Sequence, residues 1–134
     1  MLHDVYELNF GTTCRTRIWL SETALKELSR FRRKGDPNGV WFKKLKHHAV
    51  NGLVNAERST PPIVRHEGQG VYRIGFRDSL FRLVGFYSNG QKSEFIVIDA
   101  LTKSGQKLSK AERDRIKAIA DVKSSVLWRR VLDG

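Results

Sequence analysis

Cysteine occurs once, at Cys14, so no internal disulfide can close and a cross-linked secreted scaffold is excluded; Cys14 reads as a small core residue. Long apolar runs are missing too: nothing approaches the roughly 18 consecutive apolar residues of a membrane span. The opening stretch MLHDVYELNF lacks the basic leader, apolar core and small-residue cleavage site of a signal peptide. These absences set the expectation of a cytoplasmic protein that meets no membrane. Common enzyme motifs are absent as well: no P-loop, no G-x-G-x-x-G, no paired cysteines, no H-E-x-x-H and no G-x-S-x-G. His47 and His48 are adjacent and so point to different faces of a helix, while His3 and His66 stand alone. Neither a metal nor a cofactor is expected.

Acidic residues are scarce. Against 14 Asp and Glu stand 25 Lys and Arg, a net charge of +11 and an isoelectric point near 10.2. Such a field favours a polyanion, because phosphates neutralised by Lys and Arg release counterions. A solvated basic surface or an acidic protein partner would fit the same charge. The length of 134 residues, with 40% hydrophobic and 29% charged residues, suits one globular domain over 1–134 with an ordinary core. No repeat or low-complexity segment interrupts it.

Val5, Leu8 and Phe10, then Ile18-Trp19-Leu20, form two short patches of strand formers, one of them expected at a sheet edge. Ser21 is a natural N-cap for a helix carrying Leu25, Leu28 and Phe31, which Gly35-Asp36-Pro37-Asn38-Gly39 stops. Trp41, Leu45 and Ala49 recur every fourth residue, so a second helix is expected to fold back on the first as a hairpin. Arg30, Arg32, Arg33, Lys34, Lys43, Lys44 and Lys46 cluster on that hairpin, either as its solvated face or as a docking surface for a polyanion.

The period then changes. Val71 to Phe76 alternates Tyr72, Ile74 and Phe76 against Arg73 and Gly75; Phe81 to Tyr87 is apolar but for Arg82; Asn89-Gly90 marks a turn before Phe95 to Leu101. At least three antiparallel strands follow from this. Ser109-Lys110-Ala111-Glu112 spells a capping box, so a further helix starts near Ser109, and Val126 to Leu132 is either a short helix or a terminal strand.

Arg82 inside an apolar strand demands a partner. Either Asp99 on the neighbouring strand pairs with it, or it opens onto a groove as a fork for phosphate; Arg73 and Arg77 either share that groove or simply face solvent. Lys103, Gln106, Lys107 and Lys110 come where the last strand hands over to a helix start, which itself favours anions. Cleavage of RNA by its own 2′-hydroxyl needs a base, an acid and cations, and lysines and arginines can supply the cations.

The order VYRIGF, FRLVGF, FIVIDALTK, then Gln106-Lys107 and a capped helix, resembles the phage-derived, HigB-like branch of the RelE/ParE toxins over residues 60–122. The resemblance implies an α+β (α/β) domain: an N-terminal helical hairpin packed on a twisted, mainly antiparallel sheet of about four strands, with a C-terminal helix. It implies a type II toxin, usually an mRNA endonuclease on the translating ribosome, neutralised by a cognate helix-turn-helix antitoxin. The family arginine falls on Arg82 and the basic turn on Lys103, Gln106 and Lys107. Asp99 stands where branch members commonly carry histidine, and Gly75 where an arginine often closes the strand. Candidate catalytic residues are thus Arg82, Lys103, Lys107 and Asp99, with Arg73, Arg77, Gln106, Lys110, Lys43, Lys44 and Lys46 as RNA contacts. The ParE side of the superfamily, which inhibits gyrase without cutting RNA, supplies the alternative: a non-catalytic binding module.

Overall fold

A computed structural model describes residues 2–60, 62–77, 79–102, 109–125 and 127–131. Chain order is β1 (Leu2–Glu7), β2 (Arg17–Ser21), α1 (Glu22–Lys34), α2 (Val40–Asn51), α3 (Leu53–Ala56), β3 (Val64–His66), β4 (Tyr72–Gly75), β5 (Phe81–Tyr87), β6 (Glu94–Thr102), α4 (Lys110–Ser125) and β7 (Leu127–Val131). All the strands join one sheet in the order β3-β4-β5-β6-β2-β1-β7. Pairing is antiparallel except for β2 with β6 and β1 with β7, which run parallel.

This corrects the expected architecture. The class remains α+β, but among the described residues the sheet has seven strands and is mixed, where about four mainly antiparallel strands were expected, and two strands precede the helices in place of an N-terminal helical hairpin. Nor is either early strand an edge: β2 lies between β6 and β1, and β1 between β2 and β7. Ile18, Trp19 and Leu20 are each at most 1% exposed, because a parallel strand with both faces covered buries every side chain in succession. The carboxyl-terminal segment resolves as a strand, and β7 aligns Arg129 with Asp4 of β1, where the guanidinium makes a bidentate pair at 2.7 and 2.9 Å.

The helices follow the local signals. Ser21 accepts from the amide of Ala24 at 3.1 Å and caps α1. Asp36, buried, accepts from the amides of Trp41 and Phe42 at 3.0 and 3.1 Å and so starts α2 at a fixed angle. In consequence α1 packs on β6, β2 and β1 while α2 packs on α3, and the two meet through Phe31 and Trp41 rather than as a close hairpin. Ser109 and Glu112 form the reciprocal capping box of α4: the Ser109 amide donates to Glu112 at 2.7 Å and the Glu112 amide to Ser109 Oγ at 3.2 Å.

Two cores result, one on each side of the sheet. Leu20, Leu28, Trp41, Leu45, Ile74, Leu83 and Phe95 join α1, α2 and α3 to one face. Val5, Trp19, Val71, Val84, Phe86, Ile96, Ile116 and Ile119 join α4 to the other. Among the described residues no helix is long and apolar enough to cross a membrane.

Glu94, at the start of β6, ties the far side of the sheet together. Its carboxylate accepts from Arg130 of β7 at 3.0 and 2.6 Å, from Ser88 at 2.8 Å and from the Trp19 indole at 3.1 Å. The Arg130 hydrogen bonds, helped by Ser88 and Trp19, hold this carboxyl below its ordinary range against the opposing effect of burial. A depressed carboxyl stabilises the fold above its unfolded pKa, about 4.3, and that contribution disappears as pH falls through the lower folded value. Glu94→Gln should therefore cost about 1–2 kcal/mol at pH 7. In urea melts the difference between variant and parent should shrink steadily below about pH 4; a gap unchanged at pH 3 would refute the linkage.

Candidate nucleic-acid interface

β4 brings the arginines together. Register places Arg65 of β3 directly opposite Arg73, and Gly75 opposite Arg82 of β5. Arg73 and Gly75 share a face of β4, so Arg65, Arg73 and Arg82 lie on one side of three neighbouring strands. This is the α4 side: Arg82 alternates with Val84 and Phe86, which pack on the α4 core. Arg73 does not face solvent, one of the two alternatives left to it, because Val71 joins that core and Arg73 is 9% exposed.

Arg82 does not pair with Asp99. Its Nη1 donates to the carbonyls of Phe76, Ser79 and Phe81, at 3.3, 2.5 and 2.8 Å, and so fastens the β4–β5 connection. A Cβ on Gly75 would run into the Cδ, Nε and Cζ atoms of Arg82, which explains why glycine stands there: the arginine folds over it. Burial, then the charges of Arg73 and Arg65, lower the pKa of Arg82. Like charges opposite one another in a sheet are destabilising. With Glu67 paired to Arg73, the three arginines leave a net positive charge that a further anion would relieve.

Asp99 belongs to Arg115 of α4, whose Nε and Nη2 reach one carboxylate oxygen at 2.9 and 2.6 Å while Nη2 also donates to the Ala100 carbonyl at 3.2 Å. A bulge makes this possible. Val84 faces Asp99 while Gly85 faces Val97, so β6 carries an extra residue that turns both Ile98 and Asp99 toward α4. In the position where a histidine was expected, the chain has an anchor for its last helix.

Arg73 is the unusual residue. Its Nε donates to Glu67 at 3.0 Å, yet its buried Nη1 has no hydrogen-bond partner among the described residues. An orphaned buried donor of this kind costs about 1–3 kcal/mol, more for a charged group. Glu67 in turn lines a cavity of about 380 Å³ between the turn that follows β3 and α4, with Gly68, Gln69, Arg113, Ile116, Lys117 and Ala120. Gly68, Gln69 and Gly70 all have positive φ, at 97°, 54° and 75°, so Gln69 sits in a conformation that non-glycine residues rarely adopt. Gly70 is favoured by its φ of 75°, at which any side chain would be strained, and the flexible end of Lys123 fills the space beside it.

Of the residues singled out from sequence, Arg73 and Arg82 share this side and Asp99 lies on it through Arg115. Lys110 is exposed at the first position of α4. Arg77 is exposed in the turn after β4, away from the paired strand positions. Lys43, Lys44 and Lys46 ride on α2, whose buried residues belong to the other core, and Lys44 approaches the Phe76 ring at 5.8 Å. They are not brought together with the arginines. Lys103, Gln106 and Lys107 lie outside the described residues. Sequence reading missed Arg65, Arg113, Arg115 and Lys117 as site residues. The helical spacing of Arg113 and Lys117 beside Ile116 and Ala120 was the available signal.

Comparison with family models, with curated proteins and with solved structures finds no match to this chain.

Proposed function

We propose that this chain is the toxin of a type II toxin-antitoxin pair, a metal-independent mRNA endonuclease of the RelE/ParE kind. It works at the ribosome in the cytoplasm and is neutralised by a small helix-turn-helix antitoxin. The observation that carries the reading is the arginine row on β3, β4 and β5, with a buried Arg73 nitrogen that has no partner among the described residues. Such a row asks for phosphate, and the surplus of +11 supplies the long-range attraction. In the reaction a 2′-hydroxyl loses its proton and attacks the adjacent phosphorus; the bond to the 5′-oxygen breaks, and that oxygen takes up a proton. Lys103 and Lys107 are assigned the proton and charge work, and the arginine row the grip on phosphate.

A second reading, a non-catalytic toxin of the ParE type, is favoured by two specific commitments. Arg82 is spent on backbone carbonyls and Asp99 on Arg115. Neither is left for chemistry.

Induced expression should stop growth, and sequencing of transcript ends should show new breaks inside reading frames that carry 5′-hydroxyl groups. Replacing Lys103 and Lys107 together by alanine should restore growth. Growth arrest with intact transcripts and a DNA-damage response would select the second reading. Unimpaired growth on verified expression would overturn both.

A further inference from the structure

We infer that the cavity between the Glu67–Gly70 turn and α4 is a base-reading pocket for a guanine of single-stranded RNA, an inference that rests on the RNA-binding reading above. The volume of about 380 Å³ suits one purine nucleoside rather than a longer piece of chain. Ile116 and Ala120, one helical turn apart, supply an apolar wall for the flat face of a base. Arg113 and Lys117, also one turn apart, supply the cationic rim that a flanking phosphate requires.

Base identity comes from Glu67 at the cavity wall, whose carboxylate is held from behind by Arg73 Nε at 3.0 Å. Its two oxygens are adjacent acceptors, which call for two neighbouring N–H groups on the base. Guanine answers with an acceptor at O6 and donors at N1 and N2. Adenine offers one donor and one acceptor on that edge, cytosine one donor and two acceptors, and uracil a single donor between two acceptors. Only guanine gives the carboxylate two adjacent N–H groups. The strained Gln69, at φ 54°, is kept at the cavity wall by the Val71 amide bonded to the Gly68 carbonyl and the Gly70 amide bonded to His66. Backbone strain of this kind persists where the surroundings fix a binding geometry.

The test is anisotropy titration of the full chain with labelled oligouridine carrying one central guanosine, adenosine or inosine, inosine being guanosine without its N2 amine. Guanosine should bind at least about tenfold tighter than adenosine, with inosine between them. Glu67→Gln should reduce the guanosine-to-adenosine ratio to below about threefold, because an amide offers one acceptor where the carboxylate offers two. Should that variant fail to fold by circular dichroism, the inosine comparison on the unaltered chain decides alone. Equal binding of the three oligonucleotides would overturn the pocket and leave the RNA-binding reading standing. Absence of binding to all three would overturn both.

Discussion

Gly85→Ala is expected to destabilise the protein by at least about 3 kcal/mol and to lower its melting temperature by roughly 10–20 °C. A Cβ at this position would collide with the carbonyl group of Ile96 and the Cα of Val97. These are backbone atoms of β6, so no rotamer change relieves the clash, and the strands themselves must part. The φ of Gly85 is not in the left-handed region; space alone requires glycine. β5 and β6 carry both cores, Leu83 and Val97 against the α1–α3 side and Val84 and Ile96 against α4, so a wedge between them loosens both layers. Gly90→Ala is the control: nothing lies within 4 Å of a Cβ there, and a change within about 0.5 kcal/mol is expected. Paired urea melts decide the matter. A Gly85→Ala variant within about 1 kcal/mol of the parent would refute the close approach of these strands.

That glycine illustrates how far the sequence could be read. Alternation and apolar runs located β4, β5 and β6, and caps located the starts of α1 and α4, because those signals are local. The size of the sheet was not legible. Whether LHDVYE and LWRRV are strands depends on their lying beside each other, a pairing across more than a hundred residues that neither segment announces. Even Ile18-Trp19-Leu20, correctly read as strand material, gave no hint that its partner would be β6 in parallel. The bulge at Ile98–Asp99 likewise has no signature in the sequence. Without it, strict alternation sets Asp99 with Val97 rather than with Ile98, and its partner becomes unguessable.

The same limit governed the site. Burial of Arg82 was legible as a demand for hydrogen bonds, but the acceptors turned out to be carbonyls supplied by Phe76, Ser79 and Phe81, which side-chain identities alone cannot display. Arg73 read as one strand cation among several. Its standing as a buried donor without a partner among the described residues emerges only when α4 packs on β5 and β6 and Glu67 takes Nε.

Replacing Arg113 and Lys117 together by alanine should weaken binding of single-stranded RNA by roughly tenfold or more at low salt. It should also flatten the dependence of log affinity on log salt by about 1.4, or about 0.7 for each phosphate that is no longer neutralised. Both side chains line the cavity, and Lys117 is exposed on the solvent side of α4, so their removal leaves Ile116 and Ile119 packed on the sheet. A fold intact by melting temperature would accompany the weaker binding. The matched comparison is Lys43→Ala with Lys46→Ala, an equal change in charge on exposed residues of α2, across the sheet from the arginine row. If the interface lies between α4 and the β3–β4 turn, the second pair should cost less than a third as much affinity as the first, although both variants carry a net charge lower by two. General attraction between a basic protein and a polyanion responds to total charge and would make the two effects equal. Equal effects would therefore remove the case for a site on the α4 face, whereas unequal effects, at identical charge, can arise only from where the cations stand.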